Sequence, residues 1–185
     1  MNFKILLLVI LFLITQSCIE NDDPKIPKFT DGEATLSTEH KDSTIEYFSF
    51  KNGIRRIPLF NPEILESDLT AMVRTHESGR ILGIEISGPV YSQFNPFTLL
   101  YHSSNMDSSE EFFEKFYNLR DNEFESDGIY ANIGDVWAVR TNDSKLGAIL
   151  IKDTVYFRDT TDTANESYDG YVTFKWKYFP DTKIK

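Results

Sequence analysis

The chain has 185 residues, 29 acidic against 19 basic, a net charge of −10 and a single cysteine. That balance repels nucleic acid and anionic lipid headgroups, and one cysteine excludes an internal disulfide framework. With 41% hydrophobic and 26% charged residues, there is apolar material for a core on the scale of one domain.

In chain order the first element is residues 5–14, unbroken Ile, Leu, Val and Phe between Lys4 and the polar stretch Thr15-Gln16-Ser17. A membrane-spanning helix needs roughly 20 apolar residues to cross about 30 Å of hydrocarbon, and this run has half of that. A short apolar core behind a basic start and ahead of small residues reads as a signal peptide over residues 1–17. Its removal takes Lys4 with it and leaves 168 residues with a net charge of −11. Residues 18–43 hold many acids, two prolines and no repeated apolar spacing, so the expectation is a flexible acidic tether that also contains a solvated His40.

The body is expected over residues 44–180 as a single β-rich domain, with residues 181–185 as a C-terminal tail. Its first strand is "TIEYFSF", with Ile45, Tyr47 and Ser49 toward one side and Glu46, Phe48 and Phe50 toward the other. Asn52-Gly53 then turns the chain, because both residues tolerate positive φ. "IRRIPL" returns, with Pro58 marking an edge or a strand end. "NPEILESDL" suggests a short turn of helix. Further strands are "RILGIEIS", "PFTLLY", "GIYANI", "DVWAVRT", "KLGAILIK", "TVYFR" and "YVTFKWKYF". In the last of these Val172, Phe174, Trp176 and Tyr178 alternate with Thr173, Lys175 and Lys177, which predicts one face in the core.

One helix interrupts the strands, in "MDSSEEFFEKFYNLRD", where Ser108 and Glu111 form a capping-box pattern. Phe112, Phe113, Phe116, Tyr117 and Leu119 share a side opposite Glu110, Glu114 and Lys115, a stripe suited to packing on a sheet. The expected fold is mainly β: an antiparallel β-sandwich or open β-barrel with one packed α-helix.

No catalytic motif is found: no G-x-S-x-G elbow, no P-loop, no G-x-G-x-x-G, no H-E-x-x-H and no cysteine nucleophile in the body. The expectation is therefore a non-enzymatic protein. The acidic loop "RDTTDTANESYDG" offers Asp159, Asp162, Glu166 and Asp169 as oxygen ligands for a hard cation such as calcium, although the EF-hand spacing and central glycine are missing and a solvated hairpin loop explains the same residues. His76 in "RTHESGR" and His102 in "YHSSN" are the body's two imidazoles, a common ligand type, each in polar turn sequence where an exposed, uninvolved histidine is the usual outcome.

The end of "ITQSC" resembles the lipobox of bacterial lipoproteins, in which the cysteine, here Cys18, is lipidated and becomes the first residue. Ser17 fits that pattern. Thr15 stands where leucine is usual, a departure similar to the looser lipoboxes of Bacteroidetes-type bacteria. Ile19 carries no inner-membrane retention acid, and Glu20, Asp22 and Asp23 resemble the export tag of surface-displayed lipoproteins of that group. The resemblance implies an outer-membrane, lipid-anchored protein facing the cell exterior, with the membrane as its partner through acyl chains rather than through the polypeptide. Asp162-Thr163-Ala164 and Asp153-Thr154-Val155 resemble the O-glycosylation motif of the same bacteria.

"EYFSFKNG", "GDVWAVRTNDSKLGAILIKD" and "GYVTFKWKYF" together resemble HmuY-type surface lipoproteins, which are β-rich haem-binding proteins. The likeness covers the final third of the body and one early strand, and the middle carries no Trp-Asp segment of the kind those proteins have. It implies haem as cofactor; the donors available to its iron in the body are His76, His102, Met72 and Met106, with histidine the favoured type, and the resemblance fixes neither histidine as the equivalent of that family's axial ligands. Two function classes follow: a surface binding module for haem or another small molecule, and a structural or protein-interaction lipoprotein docking an outer-membrane partner.

Overall fold

The computed structural model describes residues 28–39, 44–58, 66–88, 96–119, 124–159 and 167–184. The strands are β1 (Thr30–Ser37), β2 (Thr44–Ser49), β3 (Gly53–Pro58), β4 (Leu69–Thr75), β5 (Ile81–Ser87), β6 (Phe97–Tyr101), β7 (Gly128–Tyr130), β8 (Val136–Arg140), β9 (Lys145–Asp159) and β10 (Ser167–Lys183). Helix α1 (Met106–Lys115) lies between β6 and β7. Two five-stranded sheets form, ordered β1-β10-β9-β8-β6 and β3-β2-β4-β5-β7, with antiparallel pairing throughout. The sheets do not close into a barrel, so the protein is a β-sandwich with one packed helix.

Alternation of side chains across a strand builds the layers. Phe48, Phe50, Val172, Phe174, Ile149 and Ile151 meet between the sheets with Leu69, Ile84 and Ile86. Their neighbours Leu146, Ala148 and Leu150 point out of the other face of β9, where Phe113 and Phe116 cover them. β9 is thus buried on both faces, which is why "LGAILI" reads as a continuous apolar run rather than an alternating one. Ile45, Tyr47 and Ile57 form a third, separate cluster. The two sides expected for β2 are the ones observed.

Several expectations need correction. β1 occupies residues assigned to the tether: it pairs with β10 from Thr30↔Tyr178 to Ser37↔Tyr171 and buries Leu36 completely. Only its last two residues, Leu36 and Ser37, are buried, so no apolar rhythm announces it. The supposed C-terminal tail is paired as well, since β10 runs to Lys183 and the Ile184 N–H donates to the Ser144 carbonyl at 2.9 Å. β4 arises where the expected short helix ends, with Leu69 as its first residue; residues 59–65 lie outside the described ones. "KLGAILIK" and "TVYFR" belong to one strand.

The helix begins one turn earlier than its capping box suggests. Asn105 is the N-cap, its side chain accepting from the Asp107 N–H at 3.0 Å, so Ser108 and Glu111 are already helical. At the other end Lys177, 1% exposed, donates from Nζ to the carbonyls of Phe113 and Glu114 at 2.8 Å each. Both belong to the last turn, whose carbonyls a terminating helix leaves short of partners, although that of Phe113 also accepts from the Phe116 N–H at 3.2 Å. Burial holds the Lys177 ammonium below the usual lysine range, with Glu114 partly opposing. Glu110 pairs with Lys152 and, at 3.4 Å, with Lys175, which fastens the helix across β9 and β10.

Candidate functional site

At one end of the sandwich three loops converge: the β2–β3 turn with Lys51 and Asn52, the approach to β4 with Glu66 and Asp68, and the β8–β9 turn with Asn142 and Asp143. Together with Ser49 and Tyr178 they line a cleft of about 320 Å³. That volume lies at the lower end of small-molecule sites. The expected Asn52-Gly53 turn makes one wall, with Gly53 at φ +75°.

Asp68 holds the cleft together. Its carboxylate is buried, and Oδ2 accepts from the Phe50 N–H at 2.8 Å while Oδ1 accepts from the Asn142 N–H at 2.7 Å. One side chain therefore ties a turn of each sheet to the other. Burial pushes its pKa up, the hydrogen bonds from Asn142, Phe50 and Ser49 pull it down, and the nearby Asp143 charge adds to the rise; the net direction is upward. Tyr178 donates its hydroxyl to Asp143 Oδ2 at 2.9 Å, and Thr141 donates to Oδ1 at 2.6 Å. Burial, and then the Asp143 acceptor, push the Tyr178 hydroxyl up to about 12. Behind them Phe50 stacks on Tyr178 at 6.2 Å between ring centroids and lies so close to β9 that a Cβ on Gly147 would meet its ring at 2.7 Å.

The lining carries three carboxyl groups, on Glu66, Asp68 and Asp143, against the single ammonium of Lys51. Hydroxyl-bearing or cationic groups suit such a cleft, and an anionic one is opposed. A second hollow, of about 390 Å³, lies at the C-terminal end of α1 against Phe112, Phe116 and Tyr117.

At the opposite end stands His102, just after β6. Its Nδ1 lies 2.5 Å from Oδ1 of Asp135, a carboxylate only 2% exposed. A carboxylate accepts, so Nδ1 donates to it, and Nε2 is the ring nitrogen not engaged with Asp135, on a side chain that is 65% exposed. Asn132 Nδ2 donates to the other Asp135 oxygen at 3.2 Å. The loop before β8 is shaped by Gly134, at φ +91°, where a Cβ would lie 2.1 Å from the Ser103 carbonyl oxygen. His76 is in the β4–β5 turn, where its Nδ1 accepts from the Ser78 N–H at 3.1 Å. The two histidines project from different sheets, each with its own local partner.

Of the four acids considered for calcium, Asp159 stands opposite Ser167 and Asp169 opposite Phe157, while Asp162 and Glu166 lie outside the described residues. Thr38 Oγ1 donates to Asp169 at 3.5 Å. Among the described residues no group of three or more His, Cys, Asp or Glu side chains is arranged to hold a metal ion. Cys18, Glu20, Asp22, Asp23, His40 and Thr163 also lie outside the described residues. Among those described, no helix is long and apolar enough to cross a membrane.

Sequence reading missed Asp68, Asn142, Asp143 and Tyr178 as a group. Asp68, Asn142 and Asp143 sit in short polar turns and Tyr178 lies within β10 as a core residue, and nothing local tells that Asp68 will meet a backbone N–H 74 residues further on. Compared with protein-family models, with curated proteins and with solved structures, the chain matches none of them.

Proposed function

We propose that this chain is a lipid-anchored binding module of the bacterial cell surface, held in the outer membrane through Cys18 and exported with the help of Glu20, Asp22 and Asp23. In this reading the sandwich captures a small hydroxyl-bearing or cationic ligand in the cleft between its sheets. The observation that carries it is the cleft itself, polar, walled by turns from both sheets and held in shape by a buried carboxylate. The anchor rests on the apolar run of residues 5–14 and on the single cysteine behind it. Cys18→Ala should lose the protein from the outer-membrane fraction, and unchanged retention overturns the anchor. A thermal-shift panel of mono- and disaccharides and polyamines should include a compound that raises the Tm of the mature chain, and less so for Glu66→Ala, whose carboxylate faces the cleft. A panel without any such compound favours the alternative, a structural or protein-interaction lipoprotein of the outer membrane.

Haem is the second reading, and one observation favours it. Histidine ligands of metals commonly have their other nitrogen held by a carboxylate, as Asp135 holds His102. Haem titrated into the mature chain should then give a shifted Soret band that His102→Ala abolishes and His76→Ala leaves unchanged. A spectrum untouched by His102→Ala removes this reading.

A further inference from the structure

We infer that on the membrane the cleft end of the sandwich faces the bilayer and the β9–β10 ribbon points away from it. This rests on the Cys18 anchor proposed above.

The strand register supplies the direction. β1 enters the sandwich at Thr30, directly opposite the cleft residue Tyr178, and leaves it at Ser37, opposite Tyr171. The chain therefore joins the body at the cleft end and runs away from it. The joint is fastened: the Phe29 ring lies 5.6 Å from that of Phe179 and 5.0 Å from the Lys177 ammonium.

Chain length supplies the height. Phe29 is eleven residues past Cys18, which at most spans roughly 40 Å whatever its conformation. Along β10, Ser167 is eleven residues from Tyr178, about 36 Å at the rise of a strand. The cleft end thus cannot rise more than roughly 40 Å, while the ribbon tip can reach about twice that height. Turning the body over would require the connecting segment to run back along its whole length, nearly straight, at a large loss of chain entropy. The bilayer excludes the intermediate tilts in which the body would enter it. On average, the cleft is therefore the lower end.

The test couples the mature chain, through its only cysteine, to a maleimide lipid in phosphatidylcholine vesicles. A donor dye is placed through an unnatural amino acid at position 52 or at position 156, with acceptor lipid in the bilayer. Energy transfer should be stronger from position 52, and inserting about 40 Gly/Ser residues after Lys28, a flexible coil, should bring the two values together. Equal or reversed transfer in the parent overturns the orientation. A difference that survives the insertion overturns the tether argument. Because the lipid is attached chemically, both outcomes are independent of whether cells lipidate Cys18, which the Cys18→Ala fractionation decides.

Discussion

Both ends of the sandwich contain a buried aspartate, Asp68 at 5% exposure and Asp135 at 2%, but the two are satisfied by different kinds of donor. Asp68 accepts chiefly from two backbone N–H groups, those of Phe50 and Asn142, with the Ser49 side chain as a further partner. Asp135 accepts from two side chains, His102 and Asn132. A backbone donor cannot turn away when its acceptor is lost, whereas a side chain can rotate into water. The first arrangement locks two hairpin turns in place, and the second orients an exposed ring. A carboxylate of nearly the same burial is thus structural at the cleft and positioning at the far end.

The largest expected effect tests the lock. Asp68→Ala strands two backbone donors in a buried place and should destabilise the fold by about 2–4 kcal/mol in urea unfolding. Asp68→Asn should cost less, since its amide oxygen still accepts one of them. The pH dependence has a definite sign. Burial raises the folded-state pKa of Asp68 above its ordinary 3.8, so the folded chain keeps this proton to a higher pH than the unfolded chain does. Its contribution is complete below about 3.8 and is lost as pH rises through the folded value. The cost of Asp68→Ala should therefore be greater at pH 3.5 than at pH 7, and a cost that grows with pH would reverse the assignment.

Lys177 extends the comparison to a buried cation. It too is bound by backbone, through the Phe113 and Glu114 carbonyls, so Lys177→Met should cost about 1–3 kcal/mol and fray the end of α1. Asp135→Ala should cost less than Asp68→Ala, about 1–2 kcal/mol, because His102 can turn to solvent. If Asp135→Ala proves the more damaging substitution, the distinction between backbone and side-chain donors fails.

What was legible in the sequence follows the same physical division. Strands with a full apolar face, such as "YVTFKWKYF", declare themselves, as do the Asn52-Gly53 turn and the pair Phe112 and Phe113 of α1, whereas Phe116, Tyr117 and Leu119, expected on the same helical stripe, follow the last helical residue, Lys115. β1 is silent because four of its first residues, Thr30 to Glu33, are exposed on both faces of an edge strand. The helix start was misread because Ser108 and Glu111 make a valid capping pattern, yet Asn105 caps three residues earlier. His102 was legible as a residue type but not as a site, since its partner Asp135 is 33 residues away across a different strand. The cleft has no local signature at all. It exists because β2 and β4 bring Asp68 under one turn while β8 and β9 bring Asn142 to meet it.

The smallest expected effect separates the two histidines. His76 is exposed in a turn whose hydrogen bonds run chiefly through backbone, the His76 N–H donating to the Arg80 carbonyl at 2.8 Å and the Gly79 N–H to the His76 carbonyl at 2.8 Å. His76→Ala keeps both and should change stability by no more than about 0.5 kcal/mol. His102→Ala removes a donor from a buried carboxylate that Asn132 alone must then satisfy, at about 0.5–1.5 kcal/mol. His102→Asn offers an amide N–H where the imidazole N–H was and should recover part of that loss. Equal and negligible effects at both positions would mean that the Asp135 carboxylate is hydrated from the His102 side, and that the ring is held there by nothing stronger than water.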